Sequence, residues 1–127
     1  MKTLVVGASK GLGRALVEGL GEAGDTLIGV SRTRPQDLAS KAGVQLRWIE
    51  ADLAEPAHAV RAIEHAVAEE GLDTLIYNLG IWEDQAFDEA YDFLQDRDEQ
   101  LEAIVGCNIT APILLIKRLL PSLLKSP

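Results

Sequence analysis

The chain has a single cysteine, Cys107, among its 127 residues, so it can form no internal disulfide. That usage fits a reducing compartment. A basic excess is also missing: 12 Lys and Arg stand against 20 Asp and Glu, for a formal net charge of -8. The pI near 4.7 argues against a nucleic-acid partner, which needs a basic footprint. The apolar start is only a few residues long and runs straight into glycines, so no secretory leader is read there and a cytoplasmic location is expected. Only two histidines occur, His58 and His65. They stand one heptad apart with no evident third ligand, and no metal site is expected. Repeats beyond a β-α alternation and low-complexity segments are absent as well.

What remains is the composition of one globular domain. Hydrophobic residues make up 47% and charged residues 25% of the chain, enough to bury roughly two-thirds of the unfolded surface. Thr3 to Val6 is a short β-branched run, and behind it Ala15, Leu16, Leu20 and Ala23 recur at helical spacing up to Gly24-Asp25. Thr26 to Val30 follows as a second strand. Pro35 is placed to open a short helix through Leu38 and Ala42, closed by Gly43. Val44 to Ile49 reads as a third strand, and a helix from Pro56 carries Val60, Ile63 and Val67 and ends near Gly71. Asp73 to Asn78 is an apolar fourth strand. In the acidic stretch Glu83 to Glu102, Phe87, Tyr91 and Leu94 lie at i, i+4, i+7 and suggest a helical turn or two packed on the body. A long helix, Glu99 to Leu124, closes the chain. The alternation predicts an α/β fold, a Rossmann-type doubly wound parallel sheet of order 3-2-1-4, with ligands at the carboxyl ends of its strands.

The glycine-rich turn after the first strand falls at that rim. Gly7, Gly11 and Gly13 are spaced G-x-x-x-G-x-G, and no Gly-Lys-Ser/Thr follows, so this is not a P-loop. Gly7 allows a tight turn, Gly11 lets backbone approach a pyrophosphate, and Gly13 lets the helix pack on the sheet. Asp52 and Asn78 reach the same rim from other strands.

On these residues the chain resembles the short-chain dehydrogenase/reductase family along its whole length. The family's T-G-x-x-x-G-x-G is met by Val6-Gly7-Ala8-Ser9-Lys10-Gly11-Leu12-Gly13, its Asp-hydrophobic pair by Asp52-Leu53, and its N-N-A-G by Tyr77-Asn78-Leu79-Gly80; its helix asparagine is met by Asn108. The resemblance implies a cofactor site made by Gly7, Ser9, Lys10, Gly11, Leu12, Gly13, Arg32, Asp52, Leu53, Asn78 and Gly80. Asp52 would then accept from the adenine amino group with Leu53 supporting the ring, and the Asn78 to Gly80 turn would meet the adenosine ribose. By sequence alone, Asp52 serves equally as a helix N-cap ahead of Pro56.

Cofactor choice follows from a missing carboxylate. An NAD site places one about 20 residues beyond the glycines, against the ribose 2′-OH. Here the second strand ends Val30-Ser31-Arg32-Thr33. Arg32 offers a planar fork to a 2′-phosphate and Lys10 a second charge, so NADP(H) is expected over NAD(H). The competing reading leaves Arg32 and Arg34 as solvated loop charges.

Asn108 is the catalytic candidate. Pro112, four residues on, supplies no N–H to the Asn108 carbonyl, and a helix kink is expected there. The resemblance implies that a water on this carbonyl joins a proton relay from the family's lysine. The family's serine and Tyr-x-x-x-Lys are not found: positions four after Tyr77 and Tyr91 are Ile81 and Gln95. The expectation is an N-terminal half of such an enzyme, residues 1–127, its domain stopping after the fourth strand and long helix. The whole enzyme would transfer hydride between NADP(H) and a carbonyl or alcohol, while the chain as written binds cofactor without turnover.

A non-enzymatic NADP(H)-binding or interaction module is the alternative. The expected partners are a small-molecule substrate in the whole enzyme and a second copy of the chain. An open edge at strand four and the surplus of apolar residues from Ile113 to Leu124 point to a homo-oligomer. A membrane-surface helix is disfavoured, because Lys117 and Arg118 form no broad basic face. Ile81 and Trp82 either line the substrate mouth or belong to the core.

Overall fold

The computed structural model describes residues 1–68 and 71–127. Four parallel strands, β1 (Lys2–Val6), β2 (Thr26–Ser31), β3 (Gln45–Glu50) and β4 (Thr74–Tyr77), form one sheet in the order β3-β2-β1-β4. Register is continuous across it: Val6 pairs with Val30 on one side and Tyr77 on the other. The expected strand order is the observed one. Both faces of β1 are buried, since Leu4 and Val6 join a core on one side and Val5 a core on the other. This is why Leu4-Val5-Val6 is an unbroken apolar run.

Helix α1 (Gly11–Gly19) covers one face, packing Val17 with Ala8, Leu27 and Val44. Across the sheet lie α2 (Pro56–Val67) and the closing helix. These contribute Ala59, Val60, Ile63 and Val67, and Ala111, Leu115 and Leu119, to the larger core. The expected end of α2 near Gly71 runs over Glu69 and Glu70, which lie outside the described residues. The closing helix is α3 (Asp98–Val105) and α4 (Ala111–Leu123), joined by a π turn at Gly106–Thr110. Where Pro112 predicts a kink, the helix widens by one residue, with the Ala111 N–H bonded to the Gly106 carbonyl five residues back. The helix Asp98–Leu123 is long and apolar enough to cross a membrane by length and composition. Its α4 part packs on α2 and the sheet through Ala111, Leu115 and Leu119, while α3 buries no residue.

Two expected helices are not formed. From Pro35 to Ala42 there are only turns. The groups a helix would have used are bonded to α1: Arg14 donates to the Asp37 carboxylate and carbonyl at 3.2 and 3.0 Å, and the Ala39 N–H donates to Glu18 at 3.3 Å. The helix expected at Phe87, Tyr91 and Leu94 is also absent apart from a single 3-10 turn at Phe93–Gln95. Phe87 and Leu94 are each 84% exposed rather than packed. Aspartates explain it: Asp88 accepts from the Ala90 N–H and Asp92 from the Leu94 N–H, local turns that compete with a helix. α1 also ends four residues short of Ala23, capped at Leu20.

Candidate functional site

At the carboxyl ends of the strands lies a cleft of about 410 Å³, lined among others by Gly7, Ser9, Lys10, Arg32, Asp52, Leu53 and Gly80. The turn after β1 forms its floor. Gly7 has φ +82° and Gly11 φ +55°, left-handed conformations that favour glycine. A Cβ on Gly7 would stand 2.9 Å from the Leu79 backbone, and one on Gly13 only 1.9 Å from the Gly7 carbonyl oxygen. Gly13 therefore serves the turn's own closure, where the sequence suggested packing of helix on sheet. α1 starts from this turn with no side-chain cap and no acidic residue in its first turn. Its leading N–H groups are thus left for an anion.

Arg32 stands on the opposite wall, on a loop that is braced. The Trp48 indole lies on Gly29, its partner across the β2–β3 ladder, and donates to the Ser31 hydroxyl at 3.1 Å. Ser31 in turn donates to the Thr33 carbonyl at 2.8 Å, and the Arg34 N–H donates to Glu50 at 3.1 Å. Sequence reasoning missed this brace. The signal was a glycine facing a tryptophan in adjacent strands, readable only once register is known. Arg32 itself makes no ion pair or hydrogen bond among the described residues.

Asp52 accepts from the Ala54 N–H at 3.0 Å, forming a turn ahead of α2, whose N-cap is Glu55. Of the two sequence readings, the helix-cap one is therefore not realised. Leu53 is buried beneath it. Gly11 and Leu12 lie on the open side of the turn, and Leu12 is 64% exposed. Asn78 stands behind the turn, its amide nitrogen 3.0 Å from where a Gly13 Cβ would be and its N–H bonded to the Val6 carbonyl at 2.9 Å.

Asn108 lies in the π turn, half-buried, and both ends of its side chain are engaged by one residue. Its Nδ2 donates to the Ile81 carbonyl at 2.6 Å and its Oδ1 accepts from the Ile81 N–H at 2.9 Å. The same loop is held along α3 by Gln100, donating to the Trp82 carbonyl at 2.8 Å, and by the Arg97–Asp84 pair at 3.0 Å. Ile81 lines the cleft, while Trp82 is exposed and stacks edge-on with Phe87. Cys107 is buried at the cleft wall. Burial first, then Asp52, pushes its thiol above the ordinary range, against a nucleophilic role.

The sequence profile described as short chain dehydrogenase matches residues 2–127. This chain belongs to the short-chain dehydrogenase family. It is 32% identical over 130 residues to a 3-oxoacyl-(acyl-carrier-protein) reductase of Aquifex aeolicus, covering 97% of the chain and 50% of that protein. To the enzyme of the same name in Escherichia coli it is 29% identical over 125 residues, covering 96% and 49%. Among solved structures, a short-chain dehydrogenase from Sphingobium yanoikuyae in complex with NADPH superposes with a TM-score of 0.77 at 29% identity, over 94% of this chain and 47% of that one. The chain thus spans about half the length of the short-chain dehydrogenases it matches. Its oxidoreductase family and nucleotide-binding fold are those of these relatives.

Proposed function

We propose that these residues form the cofactor half of an NADP(H)-dependent short-chain dehydrogenase that moves hydride between the nicotinamide and a small carbonyl or alcohol substrate. One observation carries the cofactor choice: the Arg32 and Lys10 side chains line the cleft with no hydrogen-bond or ion-pair partner among the described residues, and β2 ends without a carboxylate. A free guanidinium there fits a 2′-phosphate and leaves a 2′-OH unrecognised.

The donor set fits the rest of the cofactor. The uncapped start of α1, with Gly7, Ser9 and Lys10 lining the cleft and Gly11, Leu12 and Gly13 forming the first turn of the helix, would hold the pyrophosphate. Asp52 has an oxygen left for an adenine amino group, with Leu53 below, and the Asn78 to Gly80 turn would meet the ribose. Bound there, the nicotinamide supplies or accepts the hydride. Asn108 acts through its backbone, because Ile81 occupies both ends of its amide. Its carbonyl would hold a water for proton transfer, the serine and Tyr-x-x-x-Lys of the chemistry not being among residues 1–127.

A second copy of the chain is the proposed partner. Ile109, Ile113, Ile116, Leu120 and Leu124 are each at least 45% exposed along the closing helix. An apolar row of that length favours association. Sedimentation at tens of micromolar is expected to show an oligomer; a monodisperse monomer counts against it. For the cofactor, titration followed by nicotinamide fluorescence is expected to give NADPH tighter than NADH by about tenfold or more, with Arg32→Ala removing the difference. Equal affinities, or an unaffected Arg32→Ala, overturn the NADP(H) reading.

A further inference from the structure

We infer that Tyr77 is a positioning residue of the cofactor site: its hydroxyl holds the π turn in the place from which Asn108 grips Ile81. The residue does not line the cleft. It sits on β4, half-buried, with its ring against the larger core, and its hydroxyl donates to the Cys107 carbonyl at 2.5 Å. That carbonyl belongs to the π turn, where the helical ladder is out of step and needs partners from outside.

Three connections converge on this turn. Tyr77 ties it to β4, which pairs through Val6 with the strand leading into Gly7. Asn108 ties it to Ile81, just past β4. Gly106, buried, brings it against the loop that carries Asp52 and Leu53, since a Cβ there would stand 3.2 Å from the Ala54 carbonyl oxygen. Two walls and the floor of the cleft thus share one hub, and the Tyr77 hydroxyl fastens it to the sheet by a hydrogen bond. Burial keeps the phenol well above its ordinary titration range, so it remains a donor at neutral pH. Without the hydroxyl, the Cys107 carbonyl loses its partner, the turn gains freedom to shift, and the two Asn108 bonds weaken with it.

The test is Tyr77→Phe in the 127-residue chain, which keeps the ring and removes only the hydroxyl. Amide hydrogen exchange by NMR is expected to quicken about tenfold at Ile81 while Leu4 and Ile28 in the sheet keep their protection. The NADPH dissociation constant, which rests on the NADP(H) reading above, is expected to rise several-fold. In an Asn108→Ala background, Tyr77→Phe should add nothing further to Ile81 exchange, because the coupling runs through Asn108. Unchanged exchange at Ile81, a uniform loss of protection across the sheet, a variant that unfolds, or full additivity with Asn108→Ala each overturns the inference. If the unaltered chain binds no NADPH, the cofactor reading fails by itself, and Ile81 exchange still decides the role of Tyr77.

Discussion

The Asn108 side chain and the Ile81 backbone form a closed pair, each donating one hydrogen bond to the other at 2.6 and 2.9 Å. A residue twenty-seven positions later in sequence thereby fixes the loop that leaves β4 for the cleft. Asn108→Ala leaves the Ile81 N–H and carbonyl half-buried and without those partners, at an expected cost of about 1–3 kcal/mol. Urea unfolding checks this, and an unchanged midpoint with an unchanged slope would refute it.

Gly11 and Gly13 differ in why they must be glycine, and the difference is measurable. A Cβ on Gly11 meets nothing within 4 Å but is held at φ +55°. Gly11→Ala is therefore expected to destabilise by about 1–2 kcal/mol, the cost of the left-handed conformation. Gly13→Ala drives a methyl against the Gly7 carbonyl, 1.9 Å away, and must break the turn. The larger loss of thermal stability is expected at position 13; the reverse order would show that the turn relaxes around a methyl.

Gly29→Ala tests the brace behind Arg32. The added methyl would lie 2.3 Å from the Trp48 ring, so the indole must leave the strand and release Ser31. A shift in tryptophan emission together with weaker NADPH binding is the expected result. Weakened binding without any change in emission would place the effect elsewhere.

Acid stability depends on carboxylates at the far end of the sheet. Asp73 accepts from the Ser126 hydroxyl at 2.5 Å and from the Lys2 N–H at 2.6 Å, and these bonds hold its carboxyl below the usual range. Asp25 is lowered in the same way, first by the Met1 ammonium at 2.6 Å and then by the Glu22 N–H. A depressed folded-state pKa contributes stability that is complete above the unfolded value, about 3.9, and is lost as pH falls through the folded one. Unfolding midpoints should therefore hold near neutrality and drop below about pH 4. Asp73→Asn should flatten that drop. The Met1 ammonium is raised by Asp25, so its share is present below about pH 8 and fades as pH rises through its folded value. An acid limb unaffected by Asp73→Asn would refute this assignment.

Much of the fold was legible in the residues because its signals are local. Leu4 to Val6 and Leu27 to Val30 are apolar on both faces, as buried parallel strands must be, and turn residues separate them from helices. Where local signals competed, pattern alone misled. Asp88 and Asp92 carry helical spacing around them yet bond their own backbone, and Pro35 opens a stretch whose polar groups go to Arg14 and Glu18 of another element.

The sequence by itself determined the strand alternation, the glycine turn, the family, and the absence of a carboxylate at the end of β2. Each of these is a property of residue types at short spacing. Only the tertiary structure decided that Gly13 serves the Gly7 carbonyl, that Trp48 braces the Arg32 loop, and that Tyr77 and Asn108 fasten the π turn to β4 and Ile81. Those contacts join residues far apart in sequence, and they exist only once the parallel register and the helix crossing bring their polar groups within hydrogen-bonding distance.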